Sequence, residues 1–239
     1  MIAVCHPDIV CPPGHLAEVL AEADVPWGSV RFHAGDPLPS DPEAVVVLGG
    51  RMGAYDVADH PWIPVVEAWL AGLVDRRVPV LGICLGAQLL AEALGGSVRR
   101  ADRPEVGLRD LEVVADDPLA AWLDGPWVLM HRDVFTPPPG ATLVARTAHP
   151  ACFRLGSAFA LQPHPEAPAA TVAGWLAEAT EVVTDSGVDV TAMTARLAAE
   201  ASDLADRGRA LLGAWLDEAL GGPDRSSSPP GLLPKSELS

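Results

Sequence analysis

Two hydrophobic patterns alternate along the first half of the chain. One is the short unbroken apolar run: Ile2-Ala3-Val4-Cys5, Ala44-Val45-Val46-Val47-Leu48 and Val78-Pro79-Val80-Leu81. Runs of this length without polar alternation read as strands buried on both faces, as in a parallel sheet. The other pattern is the helical period. Leu16, Val19 and Leu20 place a helix over 15–23. Trp62, Val65, Val66, Trp69, Leu70 and Leu73 place one over 60–74, with Asp59 as its N-cap. A third stretch, 87–94, follows Gly82-Ile83-Cys84-Leu85-Gly86 and stops at Gly95-Gly96. Residues 28–33 read as a further strand, and Pro37, Pro39 and Pro42 make the next segment a loop. Strands and helices in this order predict a mostly parallel sheet covered by helices.

From Ser97 the pattern shortens. Segments near 97–100, 108–115, 126–130, 141–146, 151–155 and 158–162 are β-like, with turn signals such as Asp116-Asp117-Pro118 and Pro137-Pro138-Pro139-Gly140 between them. They predict extra antiparallel strands. Two helices follow, over 167–183 and 189–220. The second has Val190, Met193, Leu197, Leu204, Leu211 and Trp215 as its buried stripe, Asp189 as its cap and Gly221-Gly222-Pro223 as its stop. The expected fold class is α/β: a three-layer sandwich with a mostly parallel central sheet, extra antiparallel strands and a C-terminal helical extension. Residues 1–183 are the main domain and 189–221 the extension packed on it. Residues 222–239, with Ser226-Ser227-Ser228-Pro229-Pro230, read as a disordered tail.

Composition narrows the function classes. The 239 residues suffice for one substantial core. A formal charge of −16 repels phosphate backbones and anionic membranes, so neither nucleic acid nor a membrane is an expected partner. Met1 to Cys5 carries no basic, apolar leader, and no apolar run reaches the roughly 18 residues of a membrane span. The expected location is the cytoplasm. Cys5, Cys11, Cys84 and Cys152 follow no regular spacing and read as free thiols. Cys5, His6, Cys11 and His15 cluster loosely but match no common zinc spacing, so no metal is expected.

The chemistry concentrates at Cys84. The segment 80–96 reads as buried strand, sharp turn and helix. A glycine on each side suits a turn whose central residue is strained and points its side chain outward. A thiol at a helix N-terminus feels the positive end of the macrodipole, which favours the thiolate. Gly49-Gly50, just past the strand 44–48, either turns backbone N–H groups toward a ligand or makes an ordinary turn. A thiol nucleophile needs a base, and the base an orienting carboxylate. Among the seven histidines, His164 ends a β-run with a carboxylate two residues on. Positions i and i+2 of an extended segment project to one side, and Pro163 and Pro165 favour an extended path. Glu166 can therefore accept a hydrogen bond from His164 while His164 faces Cys84.

With these residues in view, the chain resembles the class I glutamine amidotransferases. Gly82-Ile83-Cys84-Leu85-Gly86-Ala87-Gln88 is similar to that family's nucleophile motif, Gln162-Pro163-His164-Pro165-Glu166 to its histidine–glutamate motif, and Leu48-Gly49-Gly50 to its oxyanion loop. The resemblance covers roughly 1–170 and extends to Met52-Gly53-Ala54-Tyr55-Asp56 and His131-Arg132-Asp133, which have counterparts in stand-alone members. It implies a flavodoxin-like domain over 1–183. It implies Cys84, His164 and Glu166 as catalytic residues, and an oxyanion hole from the backbone N–H groups of Gly50 and Leu85. Gln88, Gly49, His131 and Asp133 would bind substrate. No metal or organic cofactor is implied. There are departures: Ala87 stands where many members have His, Pro163 where Phe is usual, and Cys152 where relatives often place Gln. If the Cys152 segment approaches the substrate, specificity differs.

Two classes of function remain open. One is cysteine-dependent hydrolysis of a γ-glutamyl amide through a thioester, with either glutamine or a γ-glutamyl conjugate as the small-molecule substrate. Release of ammonia would call for a separate synthetase as acceptor, because the sequence shows no P-loop pattern. The other is a non-catalytic binding or regulatory protein on the same scaffold. A related cysteine enzyme acting on aldehydes or damaged thiols would not need His164 and Glu166.

Overall fold

The computed structural model describes residues 1–178 and 180–221. The first half runs β1 (Ile2–His6), α1 (His15–Glu22), β2 (Trp27–Arg31), β3 (Ala44–Val47), α2 (Ile63–Asp75), β4 (Val80–Ile83) and α3 (Leu85–Ala93). The second runs β5 (Ser97–Asp110), β6 (Glu112–Val113), β7 (Pro126–Thr136), β8 (Thr142–Arg146), β9 (Pro150–Leu155) and β10 (Ala158–Leu161). Four helices follow: α4 (Ala169–Glu178), α5 (Thr180–Ser186), α6 (Val190–Ala199) and α7 (Ala201–Ala219). The tail expected over 222–239 lies outside the described residues. No helix among the described residues is long and apolar enough to cross a membrane.

The main sheet has the order β2-β1-β3-β4-β10-β9-β8-β6. β2, β1, β3, β4 and β10 pair in parallel, and β9, β8 and β6 extend the sheet in antiparallel fashion. The unbroken apolar runs follow from its two covered faces. Ile2, Val4, Val46, Leu81 and Ile83 face α1 and α7, joining Leu16, Leu20, Leu211 and Trp215. Their neighbours Ala3, Cys5, Val45, Val47 and Val80 face α2 and α3, joining Ile63, Leu70, Leu85 and Leu89. Alternate residues thus reach opposite cores. The C-terminal helix α7 supplies part of one covering layer.

A second sheet pairs β5 and β7 into an antiparallel ribbon, with a bulge between Arg100 and Glu105. α4, α5 and α6 pack on it through a third cluster that includes Val106, Leu108, Val128, Val172, Leu176, Met193 and Leu197.

Several boundaries differ from expectation. The helix expected over 60–74 starts at Ile63, behind Trp62 rather than Asp59. Pro64 stands in its first turn, where the fixed φ suits a helix start, and Asp59 and His60 turn back onto the Asp56 carbonyl instead. The helix expected over 167–183 is described as Ala169–Glu178 and Thr180–Ser186, on either side of position 179, which lies outside the described residues. The one expected over 189–220 is two, α6 and α7, broken at Glu200 (φ −98°, ψ 6°). No Gly or Pro marks that break, and the apolar stripe continues across it, so the local sequence holds no stop signal. Asp189 does cap α6, its side chain accepting from Ala192 N.

One packing contact ties α7 to the segment 162–166. A Cβ on Gly208 would stand 2.2 Å from the carbonyl oxygen of Pro165. Only glycine lets the helix approach that closely. By contrast, nothing lies within 4 Å of a Cβ on Gly213 in the same helix. Gly208→Ala is expected to destabilise the fold by about 1–3 kcal/mol, as overpacking does. Gly213→Ala is expected to stabilise it by roughly 0.5–1 kcal/mol through helix propensity. Urea midpoints of the two variants measure the contrast.

Candidate active site

The turn between β4 and α3 sets the site. Cys84 sits there with φ 52° and ψ −107°, a conformation that L residues rarely adopt. Its N–H donates to Leu161 O (2.7 Å), and its carbonyl accepts from Ala87 and Gln88 N (3.0 and 3.1 Å) as α3 begins. The helix can start this sharply because Gly86 lies against β3. A Cβ there would stand 2.1 Å from Val47 O. Leu85 is the first residue of α3, so its N–H has no acceptor within the helix. Gly50 is beside it: a Cβ on Gly50 would stand 2.8 Å from Leu85 Cδ2.

His164 and Glu166 meet Cys84 from the end of β10. His164 Nδ1 lies 2.8 Å from Glu166 Oε1, and both side chains are buried. Glu166 Oε2 has no hydrogen-bond partner among the described residues. Burial alone would push the imidazolium pKa down. The Glu166 carboxylate and then the Cys84 sulfur, which His164 also hydrogen-bonds, outweigh it and hold His164 well above the ordinary histidine range. The loop is pinned by its backbone. His164 N–H donates to Val128 O of β7 (2.9 Å), and His15 N–H at the start of α1 donates to Glu166 O (2.9 Å). Gln162 N–H donates to Ala151 O (2.7 Å). Pro163, the unusual residue here, therefore interrupts neither anchor beside it.

These groups open into a cavity of about 400 Å3. Gly50, Cys84, Gln88, His131, Asp133 and His164 all line it, with Gly49 behind His164. His131 and Asp133 stand two apart on β7 and share a face. Gln88 is tied to this wall, its amide donating to Asp133 O (3.0 Å) and Gln162 Oε1 (3.3 Å). His131 Nδ1 lies 3.0 Å from Asp133 O, and its Nε2 stands 3.4 Å from Glu105 Oε2 across the ribbon, without a hydrogen bond among the described residues. Tyr55 donates its hydroxyl to Asp133 Oδ2 (2.9 Å). Burial raises the Asp133 pKa despite that bond, and burial together with Asp133 pushes Tyr55 up to about 12.

Four residues that sequence reasoning did not single out complete the site. Asp8, just past β1, accepts from Arg51 Nε (2.8 Å) and Nη2 (3.1 Å) and from its backbone N–H (3.2 Å). This fork holds the Gly49-Gly50 loop against the β1 loop, and it outweighs burial to lower the Asp8 pKa. Its only sequence signal is a carboxylate at the carboxyl end of a parallel strand, where such sheets place their sites. Trp175 of α4 covers His164, ring centroids 4.8 Å apart, and donates to Val10 O (2.9 Å). Cys11, which the sequence marks only as part of a loose Cys/His cluster, lines the cavity. Its companion His15 pairs instead with Glu18 (3.0 Å). Among the described residues, no group of three or more His, Cys, Asp or Glu is placed to hold a metal ion. Cys152 is fully buried within the core and does not line the cavity.

A parallel α/β sheet with a strained thiol at a strand–helix turn, facing a buried His–Glu pair, defines a scaffold suited to thiol chemistry. Comparison with known proteins gives the family. The sequence model of "Glutamine amidotransferase class-I" matches residues 15–173, and the chain belongs to that family. It is 32% identical over 157 residues to a GMP synthase [glutamine-hydrolyzing] of Thermomicrobium roseum, covering 64% of this chain and 27% of that protein. It is 38% identical over 97 residues to a GMP synthase [glutamine-hydrolyzing] subunit of Sulfolobus acidocaldarius, covering 38% of this chain and 52% of that one. The chain thus spans about a quarter to a half of these curated relatives. The crystal structure of a glutamine amidotransferase from Methylobacillus flagellatus superposes with a TM-score of 0.81 at 26% identity, covering 90% of this chain and 94% of that one.

The causes of the His164 shift give an expectation. The imidazolium should persist well above pH 6.5, read by NMR of the ring. Glu166→Gln and Cys84→Ala each remove a raising cause and should each lower the His164 pKa. Since the folded pKa is the raised one, the stabilisation is fully present below the unfolded value and is lost as pH rises through the folded value.

Proposed function

We propose that the chain hydrolyses the side-chain amide of glutamine through a γ-glutamyl thioester on Cys84. The observation that carries this reading is the buried His164–Glu166 pair, 2.8 Å apart, facing a cysteine held strained at the N-terminus of α3. The relatives named for glutamine hydrolysis support the same substrate.

In this mechanism the Cys84 thiolate attacks the γ-carbonyl carbon and a C–S bond forms. Negative charge moves to the carbonyl oxygen, which the N–H groups of Gly50 and Leu85 stabilise, each donor contributing on the order of 3 kcal/mol. The His164 imidazolium gives its proton to the amide nitrogen, the C–N bond breaks and ammonia leaves. Neutral His164 then takes a proton from water, the hydroxide adds to the thioester, and collapse returns glutamate and the thiolate. Glu166 holds the ring in the tautomer this needs and balances the imidazolium charge. Asp133 accepts from the substrate α-ammonium, held in place by Tyr55 and by the Gln88 bond to its backbone. His131 and Gly49 shape the same pocket. No step needs a metal or organic cofactor.

The released ammonia would pass to a separate synthetase, as the naming of the Sulfolobus relative for one subunit of its enzyme suggests. A γ-glutamyl conjugate is the second reading. It is favoured by the cavity volume, which at about 400 Å3 reaches the range of sites for ligands larger than one amino acid.

The test is glutamate release from glutamine and from a panel of γ-glutamyl amides. Cys84→Ala is expected to lose about 10^3-fold or more in kcat. Asp133→Asn should raise KM with a smaller change in kcat, the pattern of lost ground-state binding. Release from conjugates but not from glutamine moves the assignment to the second reading. No release from any substrate leaves the non-catalytic binding or regulatory role.

A further inference from the structure

Cys11 places a second thiol in the cavity. A Cβ on Gly49 would stand 3.2 Å from Cys11 Sγ, 3.6 Å from Cys84 Cβ and 3.0 Å from His164 Cε1. The two cysteines therefore flank one point beside the histidine. Both line the same cavity, at 6% and 5% exposure. They are electrostatically coupled: burial, then the Cys84 sulfur, pushes the Cys11 thiol up. Cys5 and Cys152 are wholly buried in the core and line no part of the cavity. The hydrolytic mechanism gives Cys11 no role.

We propose that Cys11 is the resolving thiol of a reversible peroxide-driven lock on Cys84. The inference rests on the reading of Cys84 as a reactive thiolate. That thiolate attacks one oxygen of a hydroperoxide; the S–O bond forms, the O–O bond breaks, and Cys84 becomes a sulfenic acid while hydroxide, or alkoxide from an organic peroxide, departs. The Cys11 sulfur then attacks the Cys84 sulfur. An S–S bond forms, the sulfenic S–O bond breaks, and the Cys11 proton leaves with the hydroxyl as water. Two thiols have lost two electrons and the peroxide has gained them. The two sulfurs divide the work by environment. Cys84 stands at the helix N-terminus beside His164, whereas burial keeps the Cys11 thiol protonated until a sulfenic acid is beside it. Cys11 lies in the loop between β1 and α1, outside both elements, so it can close on Cys84 without breaking a strand or helix. The disulfide removes the nucleophile, and a dithiol reductant restores it.

The test treats reduced full-length protein with hydrogen peroxide, divides each sample, and reduces half with dithiothreitol. Thiol state is read by intact mass and peptide mapping, separately from glutamate release. Wild type is expected to lose about 2 Da, to yield a peptide linking Cys11 and Cys84, and to fall more than about 20-fold in activity with nine-tenths or so returning on reduction. Cys11→Ser and Cys11→Ala should give no linked peptide. In both, Cys84 should proceed to the sulfinic acid, a gain of roughly 32 Da, with under a tenth of each variant's own starting rate recovered. Two outcomes overturn the inference: Cys84 sulfinate with free Cys11 in the wild type, or recovery in the Cys11 variants equal to wild type. Absence of glutamate release from untreated protein counts against the proposed function alone, since the linked peptide still decides the lock.

Discussion

Everything at the site depends on how closely α3 can start behind β4. Cys84 lies outside the left-handed helical well, at φ 52° and ψ −107°. A non-glycine residue held this way costs roughly 1–3 kcal/mol and persists only where its surroundings over-determine it. Here they do. Gly86 rests on the Val47 carbonyl, Cys84 N–H is fixed to β10, and every side chain from Val80 to Leu90, glycine aside, is in the buried interior. The same closeness sets Leu85 next to Gly50 and so brings two strand-end turns together. The strained residue and its neighbours are consequences of one approach between a helix and the adjacent strand.

The His164–Glu166 pair poses a second problem, because it puts charge where water is excluded. A buried ion pair is kept only if its geometry is good and its partners are held. The segment 162–166 is held from four directions: β7 through His164 N, β9 through Gln162 N, α1 through Glu166 O, and α7 through the Gly208 contact at Pro165. Trp175 then covers the imidazole. Helices α1 and α7 therefore both position the histidine.

This division explains what was legible in the sequence. The β4–α3 elbow, the Gly49-Gly50 loop and the His164/Glu166 spacing are local patterns, and each reads from a few consecutive residues. So do the fully apolar strands, whose lack of alternation follows from two covered faces. The Asp8–Arg51 fork was not legible, since it joins residues 43 apart through a loop aspartate with no periodic context. Nor was the full length of β7. His131-Arg132-Asp133 interrupts its apolar run because those side chains face the cavity and the α5 side rather than a core. The break between α6 and α7 was hidden for the opposite reason: the apolar stripe runs through Glu200 undisturbed.

The cavity is consequently made of two halves with different foundations. Cys84, Gly50 and Leu85 are backbone features of the central sheet and share its two large cores. His131, Asp133, Trp175, Glu178 and Val182 belong to the β5–β7 ribbon and to α4 and α5, which pack through the separate third cluster. A change in the second half alters what the cavity admits without disturbing the strained turn. A change in the first alters the strained turn itself. Hydrogen bonds join the halves, among them the Gln88 amide to the Asp133 carbonyl, the His164 N–H to Val128 O, the Tyr55 hydroxyl to Asp133 and the Trp175 indole to Val10 O. Gln88 is one helical turn beyond Cys84, so its bond carries the register of the recognition wall directly to the elbow. Its buried amide therefore has a positional role.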